Sequence, residues 1–177
     1  MRKALLIPVV WIAFACSVSG AARAQGVAAN DTTSTMQEWA PLAWMIGDWD
    51  GTSTSPGVGN GTFSVRPDLG GSVLVRKNSA PMVNGGTHED LMVLYHLRSG
   101  AFRAIYFDNE RHVIEYTVTP TTSPSGAVFL SDETKGMPQF RLTYTMTDAK
   151  TAKIAFELKP PGATDFKPYL EGSATRK

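Results

Sequence analysis

Ten short runs of strand-like residues, at 48–54, 60–66, 72–79, 89–97, 101–108, 112–120, 126–133, 139–147, 152–159 and 166–175, follow one another along most of this chain. Turn chemistry separates most of them, as at Ser55-Pro56-Gly57, Asn84-Gly85-Gly86, Asp108-Asn109-Glu110, Ser123-Pro124-Ser125-Gly126 and Pro160-Pro161-Gly162. Several runs alternate with a period of two. Phe140, Leu142, Tyr144 and Met146 share one face, against Arg141, Thr143 and Thr145 on the other, and Ile154, Phe156 and Leu158 oppose Lys153, Ala155 and Glu157. Short connections between about ten consecutive antiparallel strands favour an all-β up-and-down meander. Closing that meander into a barrel removes its two exposed edges. A β-sandwich is the alternative, but sandwiches usually need longer crossovers than these turns supply.

The segment before the first strand carries the one helical signal. Over 36–46, Trp39, Leu42 (or Ala43) and Ile46 recur at helical spacing, and Thr33, Ser34 or Thr35 can cap the start. Pro41 fits an early turn better than a helix interior, so the helix is expected to be short or irregular. At its exit stands Gly47-Asp48-Trp49-Asp50-Gly51.

That opening resembles the lipocalin-like, or calycin, barrels. It is closer to bacterial exported families of unknown function, distantly similar to nitrobindin, than to the classical lipocalins. Tyr106 to Tyr116 and Tyr169 to Arg176 resemble the same proteins, so the likeness spans roughly residues 37 to 177. It implies structural roles for three residues. Gly47 lets the backbone turn out of the helix, the Trp49 indole plugs the closed end, and Arg176 stacks over Trp49. Nitrobindin-like members bind haem through a late histidine. This sequence has no histidine after His112, so no cofactor is expected; haem would require His88, His96 or His112 to take over the ligand role.

The first 24 residues read as a signal peptide, with basic Arg2 and Lys3, an apolar run from Ala4 to Ala15, and an Ala22-Arg23-Ala24 cleavage site. The apolar run is too short to span a bilayer, which gives no transmembrane segment and a periplasmic or secreted protein. Cys16 is the one cysteine. Its surroundings lack the aliphatic residue of a lipoprotein box, so cleavage after Ala24 takes precedence over lipid anchoring through Cys16. Residues 25–35 read as a flexible lead and 36–177 as one barrel domain. The full chain has 17 basic and 16 acidic residues. Without Arg2, Lys3 and Arg23 the balance is 14 to 16, about −2, with no basic cluster for nucleic acid.

Catalytic motifs are sparse. The densest polar cluster is Asp108-Asn109-Glu110-Arg111-His112, where His112 suits a proton acceptor, metal ligand or hydrogen-bond donor, oriented by Asp108 or Glu110. The same residues also spell a hairpin with solvated charges. No metal site is expected: on one strand His88 and His96 would lie roughly 26 Å apart. No Gly-x-Ser-x-Gly elbow is present, and the glycine-rich stretches join strands to strands rather than opening a helix.

A barrel of about ten strands is wide enough to hold a cavity, and Tyr106, Tyr116, Tyr144 and Arg141 are the candidate polar pocket contacts. The sequence therefore predicts an exported binding protein that holds a small hydrophobic or amphipathic molecule. A hydrolase or isomerase built on His112 with Asp108 or Glu110 is the alternative, and a ligand-free structural barrel is the third. Oligomeric state is left open.

Overall fold

The computed structural model describes residues 36–57, 59–83 and 85–177. The predicted signal peptide (1–24) with Cys16 and Ala24, the lead at 25–35 and the capping candidates Thr33 to Thr35 lie outside the described residues. Ten strands form one closed antiparallel barrel: β1 (Gly47–Ser53), β2 (Gly61–Asp68), β3 (Val73–Pro81), β4 (Thr87–His96), β5 (Phe102–Asp108), β6 (Val113–Thr122), β7 (Ser125–Ser131), β8 (Gln139–Met146), β9 (Thr151–Lys159) and β10 (Lys167–Arg176). Each strand pairs with its sequence neighbours, and β1 pairs with β10 to close the ring. This is the up-and-down barrel that the turn pattern predicts, and it is consistent with a calycin-like fold.

Within the predicted helix, residues 36–38 are α-helical and a 3-10 helix follows over Ala40–Met45, with Pro41 in its first turn. Proline lacks the N–H that an α-helical interior would require, which confines it to the start. Small as it is, the element seals one end of the barrel. Trp39, Leu42 and Met45 are fully buried. The Trp39 indole Nε1 donates to the Gly71 carbonyl at 2.7 Å, and its ring meets His96 edge-on with centroids 4.5 Å apart. The indole that ties the helix to the β2–β3 and β4 ends is thus Trp39, alongside Trp49.

Trp49 sits where β1 joins both neighbours. It lies opposite Arg176 on β10 and opposite Phe63 on β2. Its ring stacks on Phe63 at 5.6 Å and 8°, its Nε1 donates to the Met45 carbonyl at 2.8 Å, and the Arg176 guanidinium lies 5.0 Å from its centroid. Arg176 also donates to the Trp44 carbonyl. Gly47 has a φ of 143°, a conformation side-chain-bearing residues rarely adopt, and the Arg176 side chain packs against the space a Cβ would take. Gly126 has a different role from the turn residue it resembles in sequence. It lies within β7, where a Cβ would come 2.1 Å from the Tyr144 carbonyl oxygen.

Strand alternation sends one face of each strand inward, building a core from Phe63, Val65, Leu74, Met92, Leu94 and Phe129 among others. In an up-and-down ring, alternate connections fall at the same end. The β2–β3, β4–β5, β6–β7 and β8–β9 turns therefore surround the 3-10 helix, and the other five connections surround an open mouth.

Trp49→Ala removes a fully buried indole and its hydrogen bond, and is expected to cost about 3–5 kcal/mol of folding free energy. The measurement is a fall in urea midpoint at an unchanged slope; a loss below about 1 kcal/mol would show that Trp49 does not anchor the seam.

Candidate functional site

Charged and hydroxyl-bearing side chains occupy the inward face of the strands from β3 to β6. Arg76 on β3 and Asp90 on β4 are both buried, at 8 % exposure each, and pair through Nη1 and Oδ1 at 2.8 Å. Asn78, two residues along β3 on the same face, donates to the other Asp90 oxygen at 2.8 Å. Burial works against the Asp90 charge, but the Arg76 guanidinium and the His88 and Asn78 hydrogen bonds outweigh it and hold the carboxyl below its ordinary range.

Towards the mouth the network continues through His88. Its Nε2 lies 3.5 Å from Asp90 Oδ2 and 3.2 Å from the Tyr106 hydroxyl, and its Nδ1 lies 3.3 Å from Glu110 Oε1. The hydrogen bond to Asp90 raises the His88 pKa above its ordinary value, burial opposes this, and Glu110 adds to the rise. Tyr106 donates to Asp108 Oδ2 at 3.2 Å, and His112 Nδ1 meets the same oxygen at 2.8 Å.

Asp108 combines both sequence readings of the hairpin. Its Oδ1 accepts the backbone N–H groups of Glu110 and His112 at 3.0 and 2.8 Å, which fixes the turn, while Oδ2 faces His112 and Tyr106. Arg111, with φ of 75°, completes the tight return. Burial raises the Asp108 pKa, and the hydrogen bonds from His112 and Glu110 more than offset that, leaving it low. The His112 side chain is 61 % exposed at the rim.

Tyr106, Tyr116 and Tyr144 all point into the barrel, on the parity of Ala104, Val118 and Leu142 respectively. Desolvation raises all three phenol pKa values, so they remain protonated hydrogen-bonding groups. Tyr144 is 2 % exposed, and among the described residues neither its hydroxyl nor Arg76 Nε has a hydrogen-bond partner.

Arg141 does not join them. It stands on the outer face between inward Phe140 and Leu142, forms a two-point ion pair with Glu157 at 2.6 and 2.8 Å, and covers the Phe166 ring at 4.2 Å. Strand alternation sends it away from Tyr144, so the expected pocket contact at Arg141 is corrected to an exterior cross-strand pair. Sequence reasoning missed the Arg76, Asn78 and Asp90 cluster. In 73–76 both faces of the strand carry apolar residues, so nothing in the pattern marked Arg76 as inward.

The wall across the lumen is apolar. In a ring of ten, β9 lies five strands from β4, directly opposite. There Phe140 and Phe156 stack at 5.7 Å and 10°, Ile154 faces Tyr144 across the β8–β9 pair, and exposed Tyr169 meets Phe156 edge-on at 5.8 Å. Phe140, Ile154 and Phe156 point inward, yet are only partly buried. An open trough of about 600 Å³ runs across β1 to β5, where Asp48, Ser64, Lys77, Leu91 and Phe107 form a cross-strand row on the outer face and Asn78, Asp90 and Asp108 of the polar network also contribute to the lining. Arg76 and the three tyrosines do not line it.

Among the described residues, no group of three or more His, Cys, Asp or Glu side chains is arranged to hold a metal ion, and no helix is long and apolar enough to cross a membrane. No family model and no curated protein matches the chain.

The raised His88 pKa gives a signed prediction. Its contribution to stability is complete below the ordinary histidine value of 6.5 and is lost as pH rises through the higher folded value. Asp90 contributes above its ordinary 3.8 and fails as pH falls through its lower folded value. Melting temperature is therefore expected to decline on the alkaline side of 6.5 in the wild type and to lose that slope in His88→Gln. An identical slope in both proteins would remove His88 from the account.

Proposed function

We propose that this protein is an exported, calycin-type binding protein, of the nitrobindin-related kind that its opening resembles, and that it holds a small amphipathic molecule in the barrel mouth. The observation that carries the reading is the partial exposure of inward-facing Phe140, Ile154 and Phe156. Apolar side chains directed at a lumen are normally packed away from water, and those left accessible offer a surface that a ligand gains by covering. Across from them, His88, Tyr106 and Asp108 offer hydrogen-bonding groups. One wall suits a hydrocarbon body and the other a polar end. Export rests on Arg2, Lys3, the apolar run and the Ala22-Arg23-Ala24 site.

Acid–base chemistry at the rim is the second reading, favoured by the 2.8 Å contact that orients the exposed His112 ring on Asp108. A small-molecule hydrolase or isomerase would lose turnover in His112→Ala, whereas a binding protein would keep its affinity.

Titration with the neutral fluorescent probe 1-aminoanthracene tests the mouth directly. Phe140→Ala together with Phe156→Ala should weaken binding at least about tenfold, because the two truncations together give up more than about 1.4 kcal/mol of apolar contact. Unchanged affinity, or no binding by a folded wild type, would overturn the mouth as the site. Native mass spectrometry of protein from its own cell envelope should show an extra mass that disappears on denaturation.

A further inference from the structure

We infer that Nε of Arg76 and the hydroxyl of Tyr144 form the head-group subsite of this barrel, and that the group they take is an uncharged carbonyl oxygen. The inference rests on the mouth-binding reading and specifies its ligand.

Two observations point to a missing partner. Both atoms are buried and, among the described residues, neither has a hydrogen bond, although their residues are only 8 % and 2 % exposed. Buried polar groups are paired in the great majority of cases, and each orphan calls for an explanation. The two residues also face each other across the ring of strands, β3 against β8, and share one neighbour. Phe63 lies beneath the Arg76 guanidinium, 5.2 Å from ring centroid to Cζ, and the same ring meets Tyr144 edge-on at 6.3 Å. Phe129 and Trp44 close the remaining sides of Tyr144, at 5.8 and 6.1 Å. Ile154, from the half-exposed apolar wall, sits opposite Tyr144 on the neighbouring strand. A hydrocarbon held on that wall thus reaches the orphaned pair at its inner end.

The chemistry of the two atoms selects the group. Arg76 Nε–H can only donate, and a phenol kept protonated by burial offers its O–H. Two such donors match the lone pairs of one acceptor oxygen. A carboxylate fits poorly, because Arg76 already pairs with Asp90 at 2.8 Å. An added anion beside that buried pair would leave it with net negative charge in a place shielded from water. A ketone, aldehyde, ester or amide carbonyl meets no such penalty.

Three matched probes test this: acetophenone, α-methylstyrene (in which CH2 replaces the carbonyl oxygen) and benzoate, each titrated calorimetrically into wild type and Tyr144→Phe. Acetophenone should bind wild type about tenfold or more tightly than either other probe, the scale of one buried hydrogen bond. Tyr144→Phe should erase most of that preference while leaving α-methylstyrene affinity unchanged. The variant removes only an unpartnered hydroxyl, so the unliganded melting temperature should hold or rise. Equal affinity for acetophenone and α-methylstyrene would overturn the carbonyl subsite and leave the mouth standing. Tightest binding of benzoate would overturn the charge argument. Failure of all three to bind a folded protein would overturn the subsite and the mouth together.

Discussion

The pairing of β1 with β10 is the constraint on which the rest of this molecule depends. A ten-strand meander left open would present two bare edges and an apolar face; joined, every strand has two partners and the apolar face becomes an interior. Trp49 concentrates the closure in one side chain, touching Phe63 on β2, Arg176 on β10 and the backbone of the 3-10 helix. The seam and the plugged end are therefore one structure, since the residues that shut the ring also fasten the helix beneath it.

Ten strands enclose more width than a single layer of side chains fills, and the barrel meets this differently along its axis. At the closed end the 3-10 helix supplies Trp39, Leu42 and Met45. In the middle, Arg76, Asp90 and the tyrosines take the space. A buried ion pair is a poor source of stability, because taking both charges from water costs about what their attraction returns. Its presence here is better understood as fixing the positions of neighbours: Asp90 holds Asn78 and His88, and through Tyr106 the order extends to Asp108 and His112 at the rim. Nearest the mouth the apolar wall is left incompletely covered.

The strands were legible because two independent signals agree. Turn residues punctuate the chain, and alternation within 139–147 and 152–159 already assigns inward and outward faces. That alternation also bears on Arg141, which shares a strand with Tyr144 at odd separation; the two cannot both line one lumen, and the structure puts Arg141 outside. The interior ion pair was illegible for the opposite reason. Val73 and Val75 make the outer face of β3 as apolar as the inner one, so period-two reasoning finds no polar side on which to place an arginine. The Asp108 hairpin was readable as a turn, and its pairing with His112 is local as well; what local sequence does not encode is the tertiary step by which β4 brings His88 beside Tyr106 and Glu110.

Closure by the first and last strands also governs the order in which the fold can be completed. Arg176 and Trp44, which meet at the seam, are 132 positions apart. A growing chain can zip neighbouring hairpins as they emerge, but β1 lacks its second partner, and the lumen its final wall, until β10 has been synthesised. This single distant pairing has to close a loop that spans the whole barrel, and until it forms, apolar surface and a free strand edge stay exposed. A polypeptide of this design stays unfinished while any strand is missing, and acquires its locked form only after the whole barrel sequence is available.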